Sequence, residues 1–168
     1  IELIVHESGL YLDTIAALYA ETTRMEKSAT QIDPAIDDAR RSLIKLLERR
    51  LDVILERIFR LLGLKYPPQE VMPIYEGLQS DSQDLRINSV EYLYNLVYGH
   101  LKRILTPIIE TAMLQTVSEE TIKALKINVP DQRQCLEMLL SGRDVKIKQA
   151  VLFLIEQLED QSYLPLVQ

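Results

Sequence analysis

The amino-acid sequence predicts an all-α chain of paired helices stacked one after another, led by two longer helices. Three observations predict it. Apolar residues recur at spacings of three and four over most of the chain, the period of a helix with one buried face. Glycine is scarce, five in 168 residues, and the β-branched residues never alternate cleanly, so sheet has little support. Helix-starting and helix-stopping residues beyond residue 66 fall at intervals that group the helices in twos, in blocks of roughly thirty residues, the period of an α-solenoid.

The first helix shows its face as Tyr11, Ile15, Leu18, Thr22 and Met25. Asp33 then offers an N-cap, with Pro34 at the first helical position where a missing N–H costs nothing. The helix that follows keeps one stripe, Leu43, Leu47, Leu51, Ile54, Ile58 and Leu61, until Gly63 ends it. From Pro34 to Leu62 it would run about 43 Å. Its other face carries Asp37, Arg41, Glu48, Arg49, Asp52, Glu56 and Arg60. Asp37 to Arg41 and Glu56 to Arg60 are favourable pairs four residues apart, so this charge run reads as a solvated face.

"KYPPQ", Lys65 to Gln69, marks a turn, because a residue before proline is pushed out of the helical region. A short helix lined by Val71, Ile74 or Tyr75, and Leu78 comes next. "SDSQ", Ser80 to Gln83, has the Ser-x-x-Gln form of a capping box for its successor. That successor repeats Ile87, Val90, Tyr94, Val97 and Leu101 as its stripe, and Gly99 is the expected stop. Further helices are expected from about residue 101 to 114 and from Ser118 to about Lys126, with Glu119 and Glu120 favourable in the first turn of the latter. Pro130 and Asp131 open a seventh helix that Gly142 closes. Asp144 caps an eighth, striped by Ile147, Val151, Leu154 and Leu158.

The pairing spans residues 67–99, 100–128 and 129–160. "DLRINSVEYLY" from Asp84 and "DVKIKQAVLFL" from Asp144 share the aspartate, a basic residue two places on, the isoleucine after it and the downstream apolar positions. Pro73, Pro107 and Pro165 each precede an aliphatic residue in the first helix of a pair, where a proline bends or shortens the helix and suits a curved stack. One all-α domain over 1–168 is the expectation, with a long helix pair over 1–66 and shorter pairs over 67–168.

Composition narrows the function classes. A single cysteine rules out an internal disulfide, and Cys135, inside an apolar helical pattern, reads as a small core residue. With 19 basic and 25 acidic side chains the chain has a net charge of −6, the wrong balance for a general nucleic-acid binder. No unbroken apolar run is longer than that of Ala150 to Ile155, far short of the ~20 residues that span a bilayer, so direct membrane insertion is not expected. His6 and His100 have no second His or Cys at ligand spacing, and the glycines are isolated, so neither zinc nor a phosphate loop is indicated. Asp33, Asp37 and Asp38 sit at the start of a helix, where the dipole explains them. No cofactor is expected.

A helix pair with proline in its first helix, and with Asp, then Val or Leu, then Arg or Lys opening its second, resembles a HEAT repeat. The match covers Pro67 to Gln168, with a degenerate pair around Thr116 to Asn128. The run from Leu55 to Glu110 is similar to the HEAT-like soluble region of bacterial proteins whose membrane part belongs to the ATP:ADP antiporter, or nucleotide transporter, family. Arg57 to Gly63, Tyr66 with Pro67, Glu91 to Asn95, Leu101 to Arg103 and Pro107 carry that likeness. It implies a right-handed α-α superhelix of HEAT or armadillo type. It also implies a cytoplasmic module tethered to the inner membrane through a fused domain, without transport residues of its own. The first residue, Ile1, and the final "YLPLVQ", which reads as the opening of another repeat, lead to the expectation of a piece of a longer protein.

The best binding candidate is a face: Asn88, Tyr92 and Asn95, with Glu91 beside them, opposite the stripe of the Asp84 to Gly99 helix. Carboxamides donate and accept, and tyrosine adds flat contact area with little entropy to lose, a mix suited to an extended peptide. The same face also reads as ordinary wet surface or as a contact with a neighbouring repeat. The expected function is a non-catalytic protein-interaction or regulatory scaffold with a protein partner. Two alternatives stay open. An α-helical enzyme or ligand binder would need inward carboxylates around a cavity between the long helices. Nucleic-acid binding would need Arg40, Arg41, Arg49, Arg57, Lys102 and Arg103 on one surface.

Overall fold

The structure is a computed structural model, and it describes residues 1–28, 33–114 and 116–167. Among these residues every regular element is helical and no strand occurs. In order they are α1 (Glu2–Lys27), α2 (Pro34–Leu62), α3 (Pro68–Leu78), α4 (Gln83–Leu96), α5 (Gly99–Ala112), α6 (Glu119–Ala124), α7 (Gln132–Ser141) and α8 (Val145–Leu158), then a 3₁₀ turn (Gln161–Tyr163) and α9 (Leu164–Val167).

The ends of these helices follow local chemistry. Asp33 Oδ1 accepts from the Ala35 N–H at 2.9 Å, and Pro34 is the first residue of α2. Ser118 and Asp144 cap α6 and α8 through their side chains, and Asp131 with Gln134 forms a full capping box on α7. Gly63 follows the last residue of α2, and Gly142 is the C-cap of α7.

Two expected signals act elsewhere. The cap of α4 is Ser82, whose hydroxyl accepts from the Leu85 N–H, while Ser80 Oγ accepts from the Ser82 N–H one step upstream. Gly99 does not close α4. The helix ends at Leu96, Val97 and Tyr98 are extended, and Gly99 opens α5 with φ +65°, a left-handed backbone that glycine adopts without strain. At the end of α4 the Val97 N–H donates to the Leu93 carbonyl, and the Lys102 ammonium donates to the Tyr94 carbonyl at 3.0 Å.

Packing divides the chain into two compact units. One comprises residues 1–13 and 51–126, the other residues 14–50 and 127–168, so the division passes through both long helices. The first unit buries Ile4 and Tyr11 of α1, Ile54, Leu55, Ile58, Phe59 and Leu62 of α2, and apolar residues of α3 to α6. The buried arc of α2 is wider than the single stripe expected: Phe59 and Leu62 are fully buried, whereas Leu61 is half-buried. The second unit centres on Ala17, Ala39, Leu43 and Leu47 packed with Cys135, Leu136, Leu139, Ile147, Val151, Leu154 and Tyr163.

Helix α3 packs on α4, and the approach is closest at Gly77. A Cβ placed there would come within 1.9 Å of Ser89 Oγ and 3.2 Å of Ser89 Cβ. The hydroxyl can rotate away, but the second distance asks the two backbones to part. Gly77→Ala is therefore expected to lose more through overpacking, about 1–3 kcal/mol, than the ~1 kcal/mol it gains in helix propensity. In a double-mutant cycle by denaturant melting, the cost should shrink by about 1 kcal/mol when Ser89 is replaced by Gly. Equal cost in both backgrounds would show that the approach is not a constraint.

Candidate protein-interaction face

The four residues singled out on the sequence do share one face of α4. Asn88, Glu91, Tyr92 and Asn95 stand at steps of three, one and three, and all four are exposed, Tyr92 at 54%. Among the described residues no hydrogen bond or ion pair engages any of these side chains. Their donors and acceptors thus face water. Leu85 and Ile87, 53% and 41% exposed, flank the polar strip with apolar surface. Ile87 was expected in the core stripe, and it is not: Leu93 is the fully buried residue of α4, with Val90 and Tyr94 half-buried. Below the face, the close contact of Gly77 with Ser89 and the α4 cap at Ser82 hold the helix in place.

Two inward carboxylates, Glu21 and Glu7, are each bound by arginine. Glu21 is completely buried, and Arg40 Nη1 donates to its Oε2 at 2.6 Å while Arg24 donates to its Oε1. Arg24 Nη2 also donates to the Pro130 carbonyl at 2.8 Å, and Arg40 Nη2 to Gln132 Oε1 at 3.2 Å. Gln132 Nε2 in turn donates to the Tyr163 hydroxyl at 2.7 Å. In the other unit, Arg57 Nη1 donates to both oxygens of Glu7 at 3.2 Å. Partial desolvation raises the carboxyl of Asp52, an exposed residue, and burial together with Asp52 pushes up the Tyr11 hydroxyl.

Cys135 is buried beside the Glu21 network, where burial and the Glu21 carboxylate push its thiol up to about 12. A thiol held so far from ionisation is inert, which fits a small core residue.

Of the six basic residues that a nucleic-acid groove would require, several are already engaged by protein groups. Arg40 is 5% exposed and bound to Glu21; Arg41 pairs with Asp37; Arg57 pairs with Glu7. Lys102 is used on the Tyr94 carbonyl, and Arg103 lies 3.3 Å from the His100 ring nitrogen. Sequence reasoning placed Glu56 with Arg60 and Asp37 with Arg41 correctly, because those pairs lie within one helix. It missed Glu21 with Arg40, which join different helices and leave no spacing signal.

Among the described residues no helix is long and apolar enough to cross a membrane. No protein-family model, curated protein or solved structure matches this chain.

Proposed function

We propose that this chain is a non-catalytic interaction module that holds an extended peptide segment of a partner protein against the outward face of α4. The observation that carries the reading is the set Asn88, Glu91, Tyr92 and Asn95, exposed together on one face and free of internal partners. Carboxamides there can match the N–H and C=O groups of an extended backbone, and the Tyr92 ring can cover a side chain. Leu85 and Ile87 add an apolar rim on either side.

Selection of a displayed random-peptide library on the immobilised chain tests this directly. Enriched peptides should lose affinity at least tenfold, about 1.4 kcal/mol, for a variant carrying Asn88→Ala, Tyr92→Ala and Asn95→Ala with an unchanged helical spectrum. Equal binding by that variant removes the face; a library that yields no binder removes the reading.

The finer architecture belongs to the same proposal: HEAT-like pairs continuing as a right-handed superhelix. It is supported by the packed pairs α3 with α4 and α7 with α8, and by Pro73 and Pro107 inside first helices. Small-angle scattering with a radius of gyration at the compact value, about 15 Å for a chain this long, would contradict it. A site beside a nucleotide-transporter membrane domain rests on the resemblance of residues 55–110, and a complete reading frame without apolar spanning helices would dispose of it.

A further inference from the structure

Helix α8 is apolar on two sides. Ile147, Val151, Leu154 and Ile155 are buried in the second unit, yet Val145, Leu152 and Phe153 are 64%, 39% and 51% exposed. With Gln149 and Glu156 they form one outward face, at steps of four, three, one and three. The acidic charges around that face are also arranged against the helix. Exposed Arg143 and Lys146 sit at its N-terminal end and exposed Glu156 and Glu159 at its C-terminal end, while at the N-terminus the Asp144 cap carboxylate accepts from the Lys146 and Ile147 N–H groups. Asp144 offsets the cations at the N-terminal end, but no base in the last turn offsets Glu156 and Glu159, which the macrodipole disfavours there. Among the described residues no ion pair engages any of the four.

Both oddities have one resolution. We propose that the outward face of α8 pairs with the same face of a second copy of this chain, antiparallel across a two-fold axis at the height of Val151. Under that symmetry Lys146 lies level with the other copy's Glu156, so the two opposite charges within the helix face each other across the pair. Leu152 and Phe153 lie next to the axis and cover their counterparts, and Phe153 falls opposite Gln149. One helix face is small beside the ~1,200 Å² of a standard interface, so the dimer is a weak, concentration-dependent one. The inference is independent of the α4 reading and uses a different surface.

Sedimentation equilibrium of the full chain across micromolar to submillimolar concentration tests it. A monomer–dimer equilibrium is expected, and Phe153→Glu should raise its dissociation constant roughly tenfold or more. The charge registry is tested separately. Lys146→Glu and Glu156→Lys should each weaken the dimer, and the two together should restore it, which general surface stickiness would not produce. A chain that stays monomeric throughout overturns the proposal. So does a dimer indifferent to Phe153→Glu, or one that the double swap fails to restore. The altered side chains are exposed, so the helical signal should stay near that of the parent and no charge variant should melt appreciably lower.

Discussion

Arg40→Ala is expected to destabilise the protein by about 3–5 kcal/mol, because it leaves the Glu21 carboxylate buried with half of its compensation gone. Glu21 has no exposed side-chain surface and receives one guanidinium on each oxygen. Arg24, the remaining partner, is itself divided between Glu21 and the Pro130 carbonyl. The loss also unpairs Gln132 Oε1, which Arg40 occupies, and loosens the route from Gln132 to Tyr163. Against a total stability of about 5–15 kcal/mol this is a large fraction, and the melting temperature should fall by on the order of 10 °C. A second variant separates the cost of breaking the pair from the worth of having it. Replacing Glu21 by Leu and Arg40 by Met together removes both charges and should recover most of the loss. A denaturant melt in which Arg40→Ala costs under about 1 kcal/mol would mean that water reaches the pair.

Phe59→Ala is the counterpart in the other unit. Phe59 is fully buried in α2, and its ring meets Tyr75 of α3 at a centroid distance of 5.5 Å, tilted by 44°. Truncation removes that ring contact and opens a cavity under α3, an expected loss of about 3–5 kcal/mol. Phe59→Leu, which keeps most of the volume, should lose less than half as much. Chemical denaturation with an unchanged slope would assign both effects to the folded state. Similar losses for Ala and Leu would show that the ring interaction outweighs the cavity.

What could be read from the sequence was what the chain settles locally. Pro34, Asp131, Asp144 and Ser118 start helices as their chemistry dictates, since a cap needs only the N–H groups two or three residues away. Gly99 was misread for the converse reason. A glycine near a helix end can equally supply the left-handed residue that begins the next helix, and its neighbours Val97 and Tyr98 had already left the helical region. The internal alignment of Asp84 with Asp144 fails in the same way. Asp144 caps α8 while Asp84 lies inside α4, and the positions matched by it differ in burial: Ile147 is buried where Ile87 is 41% exposed, and Phe153 is 51% exposed where Leu93 is buried. The α4 face was legible because exposure around one helix follows from its opposite side being core. The α8 face was not, although Leu152 and Phe153 stood off the predicted stripe as a signal that this helix has apolar residues to spare.

The interleaving of the two compact units fixes an order of events during synthesis. Residues 51–126 leave the ribosome before residues 127–168, so the unit completed by the former has all its chain first. Ala17, Ala39, Leu43 and Leu47 must wait, without Leu136, Val151 or Tyr163 to cover them, until residues 127–168 have been made. Neither unit corresponds to a continuous stretch of message, and no single truncation yields the second one whole.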